Sequence, residues 1–237
     1  MKILAADTST PSGSVALLED DNVMVEWTLQ SAKTHNRRLL KTVDSLLETL
    51  GWSIQEIDGF AVTTGPGSFT GLRIGLTTIK TLAWTLGKPF AGIPSLDALA
   101  APLGFARLPV CPILDAHKKE VYLAVYQPDG HGRLAKKSPY LALPPDRVQD
   151  HIEGATILCG DGWLLYRDML RKTLGPKIVE PQAPFNIIKA GFVAELALQR
   201  FLAGEAEDPA LSVPLYIRPS EAEINNPVLA RPFIGAS

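Results

Sequence analysis

The sequence predicts an α/β protein built from two similar halves, and two observations lead to this prediction. A glycine-rich turn, Gly65 to Gly75, joins an apolar, β-branched segment to a long and nearly uncharged one, which indicates a strand, a tight turn and a helix. From the N-terminus, three predicted strands precede alternating helices and strands, and this order restarts at Pro109 without evident sequence repetition. A chain of 237 residues is long enough to bury a substantial core.

The first half is predicted from apolar runs and the turn residues between them. The polar segment Thr8 to Gly13 is typical of a hairpin loop. A helix follows the third strand, because leucines recur at helical spacing between a capping Thr34 and a terminating Gly51. The predicted elements are strands Lys2 to Asp7, Ser14 to Leu18 and Val23 to Leu29, helix His35 to Leu50, strand Asp58 to Thr64, helix Phe69 to Leu86, strand Pro89 to Ile93 and helix Ser95 to Leu103.

The second half follows a junction at Gly104 to Leu108, and Asp161 and Asn186 are candidate caps for its last two helices. Its predicted elements are strands Val110 to Leu114, Val121 to Tyr126 and Leu134 to Leu141, a short helix opened by Pro144, strand Ala155 to Cys159, a helix through Leu174, strand Lys177 to Val179 and helix Ile187 to Ala203. We therefore expect lobes at residues 1–105 and 106–208. A tail of residues 209–237 follows, in which Leu215 to Arg218 is a docked segment.

Three strands followed by helix–strand units, present twice, are the plan of the duplicated ribonuclease H-like fold. This two-lobed fold is shared by the actin, sugar kinase and heat-shock ATPase superfamily. The likeness is one of architecture, so it does not establish an activity. In this fold a nucleotide would lie between the halves, near Asp7.

The glycine-rich turn has two interpretations. It aims a helix N-terminus, with its free N–H groups, out of the sheet, which suits a phosphate, but it also serves as a tight connection. It lacks the Gly-Lys-Ser/Thr ending of a phosphate-binding loop. Asp7 either orients magnesium or water on a nucleotide or bonds its own turn. The residues that could retain nucleotide binding are Asp7, Thr8, Ser9, Gly65, Gly67 and Ser68.

Asp115 ends the first strand of the second half, so it could be an acid opposing Asp7. His117, Lys118 and Lys119 stand beside it, and the alternative is a solvated, charged hairpin.

The helix Phe69 to Leu86 is predicted to be covered on two sides. It carries one apolar seam and a second seam of small residues, and its only charged residues are Arg73 and Lys80. A helix covered on one side would show a charged outer face. Gly71 and Gly75 would let another backbone approach, so we expect a second helix or another chain to pack here.

Composition excludes several function classes. The net charge of −2 argues against a chain that wraps nucleic acid by itself. Cys111 and Cys159 lie in apolar runs and are expected to be buried thiols. No apolar run approaches the length of a membrane span, and the chain opens directly on a strand, so a cytoplasmic location is expected.

Catalytic motifs are not apparent either. The four histidines are scattered, so neither a metal site nor another cofactor is predicted, and no Gly-x-Ser-x-Gly nucleophile motif occurs. A basic cluster around the first helix is either a solvated face or a contact with an acidic partner or RNA phosphate; it consists of Lys33, Arg37, Arg38 and Lys41.

Several motifs together resemble the bacterial TsaB (YeaZ-like) family, a subunit of the machinery that makes N6-threonylcarbamoyladenosine at position 37 of tRNA. The specific one is the run GPGSFTGLRIG, from Gly65 to Gly75. The others are Ile3 to Ser9, His35 with Leu39 and Leu40, Pro94 to Leu96, Asp115 with Glu120 to Tyr122, and Leu215 to Pro219. His117 departs from the pattern, which has arginine beside the strand aspartate.

The resemblance implies a noncatalytic paralogue of the transferase TsaD. Such proteins scaffold TsaD through a bundle of the first two helices of each chain and recruit the ATPase TsaE. Alone they form homodimers through the same surface, and tRNA is reached only through the complex. The interface positions implied here are Leu39, Leu40, Val43, Leu46, Leu47, Gly71, Leu72, Arg73, Gly75, Leu76 and Ile79.

Two other functions remain open from the sequence. A small-molecule kinase of the same fold would use Asp7 and the Gly65 to Ser68 loop on ATP. A glycoprotein metallopeptidase would need a metal, and the histidine pattern argues against one.

Overall fold

A computed structural model describes residues 1–30 and 39–217 and shows two sheets. The first sheet has the strand order β3-β2-β1-β4-β5. The strands β1, β2 and β3 pair antiparallel, whereas β4 and β5 are added parallel to β1. These strands are β1 (Lys2–Asp7), β2 (Ser12–Glu19), β3 (Asn22–Gln30), β4 (Gly59–Gly65) and β5 (Phe90–Pro94). All five predicted strands of the first half are therefore confirmed.

The helices of the first half are α1 (Leu39–Leu50), α2 (Phe69–Leu86) and α3 (Ser95–Ala100), the last continued by a 3₁₀ turn. The bounds of α2 are those predicted, and Gly51 and Gly87 follow α1 and α2 with left-handed φ angles of 65° and 63°. The predicted cap Thr34 and the predicted first helical residue, His35, lie outside the described residues, as do Lys33, Arg37 and Arg38 of the basic cluster.

The second sheet runs β10-β7-β6-β11-β12, with β8 pairing β6 and β9. Its strands are β6 (Val110–Asp115), β7 (Val121–Leu123), β8 (Tyr126–Pro128), β9 (Leu134–Lys136), β10 (Leu141–Leu143), β11 (Thr156–Cys159) and β12 (Ile178–Val179). Two predictions were wrong, because each predicted long strand is two short ones. The chain changes partners between them: β7 pairs β10, whereas β8 pairs β9. Pro139 has no N–H for a ladder, and Ser138 Oγ accepts a bond from Val125 N at 2.9 Å where β7 gives way to β8.

The two remaining helices are α4 (Asp161–Leu174) and α5 (Ala190–Leu202). Both predicted caps were wrong. Asp161 is the first residue of α4 and accepts a bond from Asp115 N. Asn186 lies in a 3₁₀ turn before α5 and accepts a bond from Gly160 N at 3.0 Å. Each polar side chain thus bonds a backbone group that is distant in sequence, Asp115 N for Asp161 and Gly160 N for Asn186. None of the helices within residues 1–30 and 39–217 is long and apolar enough to cross a membrane.

The first sheet separates two cores because successive strand residues point to opposite faces. Leu4 and Ala6 face α1 and α2. Ile3 and Ala5 face the other side, which is covered by α3, by α5 and by residues of the second half. The helix α5 thus packs on the first sheet although it comes late in the chain. A third core, around the buried Trp163, lies between α4 and the second sheet.

Candidate functional site at the glycine-rich turn and helix α2

The glycine-rich turn meets the end of β1 in a buried polar cluster. Asp7 is inaccessible to solvent, and its Oδ1 accepts bonds from Ser9 N (3.0 Å), Ser9 Oγ (2.6 Å) and Thr63 Oγ1 (2.7 Å). The backbone of Ser68 donates to Ser9 O at 2.7 Å, and Thr8 Oγ1 donates to the carbonyl of Gly71 at 2.7 Å. The Asp7–Ser9 loop is therefore bonded directly to the turn and to the first residues of α2.

The glycines are explained by this close approach. A Cβ atom at Gly67 would lie 2.2 Å from Ser9 O, and one at Gly71 would lie 2.0 Å from Thr8 O. At Gly75 it would lie 2.2 Å from Thr8 Oγ1. Any side chain at these positions would displace the β1–β2 loop. The structure thus packs Thr8 and Ser9 against Gly67, Ser68 and Gly71, so that the chain's own loop occupies the space that these glycines leave. Gly65 instead lies beside Leu215, whose carbonyl oxygen would be 2.7 Å from an added Cβ.

A segment near the end of the described chain covers a second side of α2. Leu215 N donates to Thr64 O at 2.8 Å, and Lys80 Nζ donates to Ser212 O at 3.1 Å. The Tyr216 ring stacks on Phe69 with 5.4 Å between ring centroids. The predicted docked segment is thus confirmed for Leu215 and Tyr216, and Arg218 lies outside the described residues. Within the described residues, the second cover of α2 is a segment without regular secondary structure rather than a helix.

Most of the predicted interface residues lie inside this chain's own core. The buried ones are Leu39, Val43, Leu46, Leu47, Gly71, Leu72, Gly75, Leu76 and Ile79. The apolar stripe of each helix packs on the first sheet, and Gly71 and Gly75 face Thr8. Leu40 and Arg73 are exposed. A partner can therefore reach only the outer faces of α1 and α2 without unfolding them.

The outer face of α2 has few charges. Thr77, Thr81 and Trp84 lie on it at helical spacing, and the Trp84 side chain is 71% exposed. Sequence reasoning missed Trp84, although its spacing from the two threonines was a usable signal. No acidic residue occurs in α2. The outer face of α1, by contrast, carries Asp44 and Glu48.

Asp115, the strand-end acid of the second half that corresponds to Asp7, has different hydrogen-bond partners. Asp115 Oδ1 accepts a bond from His117 N at 2.9 Å, and His117 Nδ1 lies 3.1 Å from Asp115 Oδ2. The backbone of Asp115 donates to Asp161 Oδ1 at 3.1 Å, and burial raises the pKa of the Asp161 carboxyl. The His117 side chain is 77% exposed, in agreement with the solvated hairpin.

The two cysteines are confirmed as buried free thiols, and burial raises the pKa of Cys111 to about 12. Within residues 1–30 and 39–217, His, Cys, Asp and Glu form no group of three or more that could hold a metal ion.

Comparison with known proteins agrees with the resemblance carried by the glycine-rich run. Residues 29–226 match the family described as TsaD, tRNA N6-adenosine threonylcarbamoyltransferase. The chain is 33% identical to the tRNA threonylcarbamoyladenosine biosynthesis protein TsaB of Bacillus subtilis over 94% of this chain and 96% of that protein. YeaZ from Pseudomonas aeruginosa superposes with a TM-score of 0.79 at 28% identity, covering 91% of this chain and 99% of that one.

A more distant structure agrees in fold alone. The activator of 2-hydroxyisocaproyl-CoA dehydratase from Clostridium difficile superposes with a TM-score of 0.52 at 11% identity, over 86% of this chain and 97% of that one. Together with the two sheets, this likeness in fold confirms the predicted two-lobed α/β fold. Sequence identity over nearly the whole chain decides the family, and this chain belongs to the TsaB (YeaZ) family.

Proposed function

We propose that this chain is a noncatalytic subunit of the machinery that forms threonylcarbamoyladenosine at position 37 of tRNA. Its relative from Bacillus subtilis is named as a biosynthesis protein of this modification. The match to the TsaD family supports a TsaD-like transferase as the partner, since the two chains would be paralogues of one fold. Contact with tRNA is then made only through the complex.

The observation that carries this proposal is the outer face of α2. Trp84 exposes 71% of its side chain on a face that lacks acidic residues, and Leu40 exposes 54% on α1. Large exposed aromatic residues are typical anchors of protein–protein contacts. The outer faces of α1 and α2 are therefore the proposed docking surface for the transferase.

The packing of the glycine-rich turn supports a role other than catalysis. The carbonyl oxygens of Ser9 and Thr8 pack against Gly67 and Gly71, and the Ser68 N–H of the turn already donates to Ser9 O. Carbonyl oxygens repel phosphate, so this packing does not favour the kinase alternative. Turnover of ATP by the isolated chain, measured as phosphate release, would revive that alternative.

The docking surface can be tested with one substitution and a matched control. Trp84→Asp places a charge on the proposed surface, whereas Leu202→Asp does so on α5 at nearly the same exposure, 72% against 71%. Both variants should fold, because both side chains are exposed. Mixed with the cognate TsaD-like protein at micromolar concentration, wild type and Leu202→Asp should co-elute as a complex by light scattering, and Trp84→Asp should not. Equal binding by the two variants would place the interface elsewhere.

The same surface is proposed to hold a second copy of the chain when the partner is absent. The TsaE-like ATPase is proposed to be recruited to the complex. Light scattering of the isolated proteins should then give a dimer for wild type and a monomer for Trp84→Asp. A dimeric Trp84→Asp variant would separate the homodimer surface from the transferase surface.

A further inference from the structure

Residues 207–217, here called the strap, run along α2 in the opposite direction to the helix. Glu207 bonds Phe90 O at 2.8 Å, just beyond the C-terminal end of α2. Ser212 O accepts from Lys80 in the middle of the helix, and Leu215 bonds Thr64 just before it begins. The strap is thus anchored beside both ends of α2 and at its centre.

The last anchor is an aromatic cluster at the first turn of α2. The guanidinium of Arg73 lies 3.8 Å from the centroid of the Phe69 ring, and its Nε donates to Tyr216 Oη at 3.1 Å. Tyr216 in turn stacks on Phe69. Phe69 and Arg73 are four residues apart on the helix, so Tyr216 joins two successive turns. We call these three residues the latch.

This first turn depends on contacts from outside the helix. Gly71 and Gly75 each weaken the helix by roughly 1 kcal/mol relative to alanine. The cap bond from Gly71 N to Ser68 Oγ is long, at 3.3 Å. Thr8 packs on the inner side of the turn and Tyr216 on the outer side. The latch therefore stabilises the first turn of α2, which the helix's own sequence stabilises only weakly.

We propose that the strap is a conformational device: closure of the Tyr216 latch holds the first turns of α2 in the form that the partner binds. This inference rests on the proposed function, since α2 is the proposed docking helix. Partner binding and latch closure then favour one another, because both require the same ordered helix start.

The first test uses the free protein. Tyr216→Ala should leave the overall fold intact, because Tyr216 is only partly buried, but should speed amide hydrogen exchange at Gly71 to Ile74 roughly tenfold, the effect of losing one aromatic contact and one hydrogen bond. Tyr216→Phe keeps the ring and should restore most of the protection. Leu211→Ala, at a strap residue 76% exposed, is the control and should leave exchange at this turn unchanged. Unchanged exchange in Tyr216→Ala would overturn the proposal.

The second test measures the affinity of the same variants for the cognate TsaD-like protein. Tyr216→Ala should bind roughly tenfold more weakly, whereas Tyr216→Phe and Leu211→Ala should bind nearly as wild type does. Faster exchange with unaltered affinity would overturn the docking role of the latch. If wild type itself does not bind, the proposed function and the docking role fail together, and the exchange data still show separately whether the latch orders the helix.

Discussion

The two halves of the molecule each place a strand–turn–helix unit beside the end of their first strand. They differ in the part of the chain that packs against the glycines of that unit. In the first half, Gly65 to Ser68 leads from β4 into α2 next to Asp7; in the second, Gly160 to Gly162 leads from β11 into α4 next to Asp115. In both halves the two strands concerned are parallel neighbours.

The first unit is closed by the loop after β1, whereas in the second unit Gly160 and Gly162 meet the strand β6 itself, at Ile113 and Leu114, rather than the loop that follows it. Thr8 and Ser9 are buried against the glycines of α2. The loop after β6 turns outward instead, with left-handed φ angles of 58°, 50° and 62° at His117, Lys118 and Lys119. The α2 helix is also continuous, whereas α4 is kinked at Tyr166. One fold plan therefore yields a continuous helix packed against a buried loop in one half, and a kinked helix without that loop contact in the other.

The largest expected effect comes from adding a methyl group where the first unit is closed. Gly71→Ala would put Cβ 2.0 Å from Thr8 O, and since backbone cannot yield easily, we expect the free energy of unfolding to fall by about 3 kcal/mol. In the second unit, Gly162→Ala meets the Leu114 carbonyl carbon at 2.6 Å and should cost about 2 kcal/mol. Urea denaturation measures both.

The control for this pair is Gly191→Ala in α5. There the added Cβ meets a Val23 methyl group at 3.1 Å, and this side chain can move, so we expect a change within about 0.5 kcal/mol. A cost for Gly162→Ala equal to that of Gly71→Ala would show that the two units are equally closed.

An intermediate effect is expected from removing the strand-end acids. Asp7→Ala leaves Ser9 and Thr63 donors without their acceptor inside the fold and should lower the free energy of unfolding by about 2 to 3 kcal/mol. Asp115→Ala should cost less than about 1 kcal/mol, because His117 is exposed and water can replace the lost acceptor. Similar losses in urea denaturation would contradict the contrast between the halves.

The smallest effect is a difference in pH dependence within the second half. Burial raises the pKa of Asp161, so its protonated form favours the folded state and its ionisation costs stability as pH rises above the ordinary value of 3.8. Asp161→Asn cannot ionise, yet it keeps the acceptor for Asp115 N. Its stability relative to wild type should therefore increase from pH 3.8 toward neutral pH in urea titrations.

Asp129→Asn is the control of opposite sign. Backbone bonds from His131 and Arg133 lower the pKa of Asp129, so this carboxylate favours the folded state once ionised. The variant should lose stability relative to wild type as pH rises from below 3.8 to about that value, and should change little above it. Parallel pH profiles for the two variants would contradict the assigned burial of Asp161.

The local sequence was sufficient to predict an element when the residues that define its bounds lie within or next to that element. The bounds of α2 follow from the turn before Phe69, the apolar periodicity and Gly87. The local sequence was insufficient to predict the role of a side chain whose bonding partner is distant in sequence. Asn186 has the composition of a cap, yet its amide oxygen bonds Gly160, and Tyr216 lies 143 residues from the Arg73 it contacts.

The candidate site was likewise predicted only in part from the local sequence. The GPGSFTGLRIG run carried the family and predicted a strand, a turn and a helix start, because glycine, proline and apolar spacing act through local backbone geometry. Which face of each helix is buried was decided by the sheet beneath it, since the same apolar stripe suits a core or a partner equally well. Only tertiary contact revealed that Thr8 and Ser9 fill the space left by the glycines and that a strap, rather than a second helix, covers α2.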